Sequence, residues 1–78
     1  MNKPTQQWLA ACAFAAIEDS NEPVTWRDLR AVAVKAGFDP EGNWLFFRGA
    51  LQGLMNAGQI VRTESIFVES YELPKGEA

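Results

Sequence analysis

Across Gly58 the apolar residues of this chain change their spacing. Before the glycine, Phe47, Ala50, Leu51 and Leu54 recur three and four residues apart, the stripe of one helix face, with Trp44 and Met55 at its edge. After it come "QIVRT" and "SYEL", short segments with β-branched or aromatic residues that read as two strands. A helix running to Ala57, a glycine stop and a hairpin leave few folds open to a chain of 78 residues. There is room for one domain, with its core over about 5–74 and a frayed tail at 75–78. A domain this small buries only about 60–65% of its unfolded surface, so the remaining elements must cover the apolar stripe well.

Those elements precede the stripe. Thr5 can cap a first helix that runs to about Asp19, with Leu9, Cys12, Ala13, Ala16 and Ile17 on one face. Trp8 and Phe14 fall outside that arc on different sides. "DSNEP" then breaks the chain, and "PVT" is a short extended piece because Pro23 cannot continue a helix. Thr25 starts a second helix, and Asp28 three residues on approximates a capping box. Its stripe is Leu29, Val32, Ala33 and Ala36, flanked by Trp26, and Gly37 stands where a helix stop is expected. In "FDPEGN", Asp39 can cap and Pro40 suits a first helical position, so the third helix starts at either Pro40 or Trp44. The predicted order is helix, strand, helix, helix, strand, strand.

In that order the stretch "RGALQGLMNAGQIVRT…SYEL" resembles the globular domain of linker histones and its prokaryotic structural relatives. The matching positions are Leu51, Leu54, Gly58, Ile60, Val61, Thr63, Tyr71 and Leu73. The resemblance covers about residues 42–74, and the first half agrees in element order alone. It implies an α+β winged helix, a three-helix core with a C-terminal β-hairpin wing, whose third helix reads DNA. The departures are specific. Linker histones carry a lysine-rich recognition helix and a glycine-rich wing. Here the third helix has one basic residue, Arg48, and the wing "ESIFVES" is acidic and glycine-free. Nucleosome binding is not implied.

The net charge of −3 argues mildly against a nonspecific nucleic-acid coat. Its distribution is uneven. Arg27, Arg30, Lys35, Arg48 and Arg62 outnumber Asp28, Asp39 and Glu41 in the middle of the chain, whereas carboxylates dominate both ends. There is no histidine, and Cys12 is the single cysteine, so an intramolecular disulfide and the usual zinc spacings are excluded. "LAAC" matches a lipoprotein cleavage box but lacks the apolar run of about 7–15 residues that a signal needs. No stretch reaches the roughly 18 apolar residues of a membrane span, and a cytoplasmic location is expected. No serine elbow, phosphate-cradling glycine loop or carboxylate pair is evident. The expectation is a protein that is not an enzyme and takes no cofactor, metal or small-molecule substrate.

Binding is the more informative class. Arg48, Gln52 and Asn56 recur at i, i+4 and i+8 on one side of the third helix, and they are the side-chain types that read base edges. Gly49 and Gly53 beside them each cost about 1 kcal/mol in a helix interior, which close approach to a DNA groove would explain. A plain solvated face and a seam against another helix are the alternatives. Arg27, Arg30 and Lys35 on the second helix, with Arg62 on the first hairpin strand, are candidates for phosphate contacts, or else a solvated face interleaved with Asp28. Glu64 and Glu69 would be repelled by phosphate, and Ile66, Phe67 and Val68 between them expose apolar area that calls for a protein partner. If the strand continues through them, Phe67, Tyr71 and Leu73 face the core and Ile66 and Val68 point outward. With Trp8 and Phe14 on the first helix, these residues suggest a homodimer through that helix and the wing. The expected function is a small DNA-binding regulator of transcription, prokaryotic or phage-type, acting on double-stranded DNA. The alternative is a winged-helix protein–protein adaptor that binds no nucleic acid.

Overall fold

A computed structural model describes residues 4–64 and 68–74 of the chain. Helix α1 spans Gln6–Asp19, strand β1 Val24–Thr25, helix α2 Trp26–Lys35, helix α3 Trp44–Asn56, strand β2 Val61–Glu64 and strand β3 Glu69–Glu72. This is the expected α+β order. Helix α1 packs on both α2 and α3, and the three strands form an antiparallel sheet in the order β1-β3-β2. Residues 65–67, and with them the expected outward placement of Ile66 and inward placement of Phe67, lie outside the described residues.

Local chemistry sets the boundaries. The Thr5 hydroxyl accepts from the Trp8 amide at 3.0 Å and the Thr25 hydroxyl from the Asp28 amide at 3.1 Å, so each caps a helix start. Both later helices end in the same glycine motif. After α2, the Phe38 amide reaches the Ala33 carbonyl and Gly37 that of Val34, with Gly37 at φ +107. After α3, Gln59 reaches Leu54 and Gly58 reaches Met55, with Gly58 at φ +74. Only glycine takes these backbone angles at little cost. Helix α3 starts at Trp44 and not at Pro40, because Asp39 closes a separate turn. Its carboxylate accepts from the Glu41 amide and its carbonyl from the Gly42 amide. Asn43 then caps α3 through the Leu45 amide.

The core is Leu9, Ala13 and Ile17 of α1, Leu29 and Ala33 of α2, and Phe47, Ala50, Leu51 and Leu54 of α3, closed by Val24, Ile60 and Tyr71. The aromatic side of this core is dense. Trp26, Phe38 and Trp44 surround Phe47 with ring centroids 5.6–6.4 Å away. Two expectations fail here. Phe14 packs against its own core, because the α1 face that covers two helices is wider than a single stripe. Leu73 is exposed, since it lies past the end of β3. Trp8 stays 55% exposed, over a hollow of about 300 Å³ that it shares with Cys12, Val32, Lys35 and Ala36.

Candidate nucleic-acid interface

Helix α3 follows α2 across the turn at 36–43, and its solvent side carries Leu45, Gln52, Gly53 and Asn56. Gln52 and Asn56 are one turn apart and exposed, and the Gln52 amide donates to the Asn56 side-chain oxygen at 2.9 Å. The pair still leaves the Gln52 oxygen, a second Gln52 donor and the Asn56 amide donors open to a ligand.

Arg48 does not stand with them. It sits at the flank of the helix, where its guanidinium carbon lies 4.1 Å from the Trp26 ring centroid. Its Nη1 lies 3.0 Å from Glu69 Oε2 on β3, with the two side chains 40% and 20% exposed. Arg62 is directly opposite Tyr71 in the β2–β3 ladder, so their side chains share a face, and its Nη2 approaches Glu69 Oε1 at 3.5 Å. The Tyr71 hydroxyl donates to Glu69 as well. One carboxylate therefore collects two arginines and a phenol. Two expected nucleic-acid contacts, Arg48 and Arg62, are engaged inside the protein.

The titration of this cluster follows from its contacts. The Tyr71 hydrogen bond, with help from both arginines, holds the Glu69 carboxyl below its ordinary 4.5, against the opposing effect of burial. Burial and the neighbouring carboxylate push the Tyr71 phenol up to about 12. Glu69 is thus a structural carboxylate and not a repulsive charge on the wing. The sequence does contain the signal. Glu69 and Tyr71 are two apart on a strand and share a face, and a carboxylate beside a buried ring needs a partner. The involvement of Trp26 carries no such signal, because it depends on where the start of α2 meets α3.

The two helical glycines separate. A Cβ on Gly49 would lie 2.4 Å from the Gln6 amide nitrogen, which donates to the Phe46 carbonyl at 2.8 Å. A Cβ at Gly49 would displace the exposed Gln6 amide and its hydrogen bond to Phe46, so Gly49 faces α1. A Cβ on Gly53 would meet nothing within 4 Å. On α2, Arg27, Arg30 and Lys35 are exposed as expected, and Arg30 lies over the Trp44 ring at 4.8 Å. Val68 is exposed beside β3. A hollow of about 540 Å³ runs from Thr25, Trp26, Arg27 and Asp28 to Val68 and Glu69. Among the described residues no helix is long and apolar enough to cross a membrane. No protein-family model matches the chain, and no curated protein matches it significantly.

Proposed function

We propose that this is a small winged-helix DNA-binding protein, a cytoplasmic regulator of prokaryotic or phage type, that reads duplex DNA with the outer side of α3. The observation that carries the reading is the Gln52–Asn56 amide pair, exposed on the outer helix of a helix–turn–helix and beside a glycine that nothing in the fold requires. Arg27 at the start of α2 is a candidate for phosphate contact, with Arg30 and Lys35 further along. Arg48 joins them by exchanging Glu69 for phosphate or a guanine edge, an exchange its partial exposure permits.

Replacing Gln52 or Asn56 with alanine should each weaken binding to a selected DNA site by about 1–2 kcal/mol. Gly53→Ala separates DNA approach from folding. It should raise stability by about 0.5–1 kcal/mol, since a Cβ meets nothing, while lowering DNA affinity. Unchanged affinity in all three variants, measured by anisotropy at low salt, would rule out α3 as the reading element.

An adaptor function is the second reading. It is favoured by Leu45, which is 72% exposed on the same side of α3, and by the capture of Arg48 and Arg62. Self-association goes with either reading. Trp8 exposes a large aromatic on a marginal domain, and pairing α1 with its two-fold copy would cover it. Sedimentation at micromolar concentration should show a dimer that Trp8→Ala dissociates, and a clean monomer mass for the wild-type chain would refute the pairing.

A further inference from the structure

A third hollow, of about 420 Å³, lies where α2 meets the α2–α3 turn and the start of α3. Its floor is apolar, made by Ala31 and Val34 of α2 with Pro40 and Trp44. Its rim is cationic, made by Arg27, Arg30 and Lys35, and no carboxylate lines it. Two features make this groove preformed. The Trp44 indole donates to the Pro40 carbonyl at 3.1 Å and packs against Trp26 and Phe38, which fixes the wall. Arg30 lies over the Trp44 ring with its guanidinium carbon 4.8 Å from the centroid, a cation–π contact that holds it at the wall. A planar fork positioned in this way loses little further freedom when it pairs with a carboxylate.

We infer that this groove docks an acidic amphipathic segment of a partner protein. Apolar side chains of the segment cover Ala31, Val34, Pro40 and Trp44, and its carboxylates pair with Arg27, Arg30 and Lys35. The charge argument is local. In a chain of net charge −3, this rim gathers three of the seven cations. Among the described residues no carboxylate lines the groove itself, although Asp28, Asp39 and Glu41 are adjacent in sequence, so the complement is acidic. The floor decides between protein and nucleic acid. A phosphate backbone would satisfy the rim and leave the apolar floor uncovered, whereas a helix with apolar anchors one turn apart satisfies both. Val34, 40% exposed at the groove, is the residue that gains most from cover. The groove also lies beside the DNA-reading side of α3 and not on it. The rim cations are also the proposed phosphate contacts, so the partner leaves Gln52 and Asn56 uncovered but competes with duplex DNA for Arg27, Arg30 and Lys35.

The test is a titration of the full-length 15N-labelled protein with a synthetic acidic peptide bearing leucines at i, i+4 and i+7, followed by NMR. A lysine-substituted copy of the peptide and a random duplex DNA serve as parallel probes. The acidic peptide should bind with a dissociation constant on the order of 10–100 µM, shifting the Ala31 and Val34 amides and the Trp44 indole signal. Val34→Glu and Arg30→Glu should each weaken it about tenfold or more, with thermal melts confirming that both variants fold. The lysine peptide should leave the spectrum unchanged. Absence of binding at millimolar peptide, shifts confined to another face, or full affinity in both variants would overturn the inference. DNA is expected to compete at the shared rim of Arg27, Arg30 and Lys35, so displacement alone does not contradict the inference. DNA that shifts the Ala31, Val34 and Trp44 floor signals as strongly as the peptide does would overturn it, since the floor would then need no apolar partner.

Discussion

Phe47→Ala is expected to remove about 3–5 kcal/mol of stability, enough to leave much of the chain unfolded at 37 °C. Phe47 is fully buried, and its ring is contacted by Trp26, Phe38 and Trp44. Those neighbours are themselves held, Trp44 by the Pro40 carbonyl and Trp26 by the Arg48 guanidinium, so the surroundings cannot collapse into the space. A void lined by aromatic rings then adds its own cost to the lost transfer energy. The loss also reaches the binding surfaces, because Trp26 carries Arg48 and Trp44 walls the groove beneath Arg30. Chemical denaturation monitored by tryptophan fluorescence checks it. A loss below about 1 kcal/mol would mean that the site repacks and that the aromatic cluster is not the rigid support described.

Changes at Glu69 should move stability and DNA binding in opposite directions. Glu69→Ala leaves the Tyr71 hydroxyl and two arginines without their shared acceptor, a loss of about 2–3 kcal/mol. Glu69→Gln keeps an acceptor for Tyr71 but removes the charge, so Arg48 becomes available to phosphate. Through Arg48, its affinity for duplex DNA should rise about two- to threefold, most clearly at low salt. The pH dependence has two arms. Glu69 titrates below 4.5 in the folded protein, so its stabilisation is present above that value and lost as pH falls through the folded pKa. Tyr71 is raised from 10 to about 12, so its contribution is intact below pH 10 and falls between pH 10 and about 12. Glu69→Gln should flatten the acid arm, seen in melts across pH. A variant that binds DNA more weakly while folded would show that Glu69 positions Arg48 for DNA instead of withholding it.

The parts of the fold that could be read from the chain are those fixed by neighbours in sequence. Thr5 and Thr25 cap the helices that they precede, and Gly37 and Gly58 stop helices with backbone angles that other residues resist. The α3 stripe of Phe47, Ala50, Leu51 and Leu54 is buried as its spacing requires. The start of α3 went to Asn43 and not to Asp39, a choice between two local caps that the turn hydrogen bonds decide. The site was less accessible. Helical periodicity groups Arg48 with Gln52 and Asn56, but 40° of rotation per step separates them, and β3 approaches the Arg48 edge. Gly49 lies beside the Gln6 side chain, which is 43 residues earlier and meets it only once α1 packs on α3. Charge counting made Glu69 an acidic wing residue, whereas the strand register turns it inward beside Tyr71.

The central claim is that this protein holds duplex DNA through a few cations around α2 and α3, and a salt-dependent titration tests it most directly. Binding of the wild-type protein to a random duplex would be followed by fluorescence anisotropy at 50 and 200 mM salt. With two to four phosphate contacts, affinity should fall on the order of ten- to a hundred-fold between these conditions. No detectable binding at the lower salt, or binding that salt leaves unchanged, would contradict the claim and leave the adaptor reading in its place.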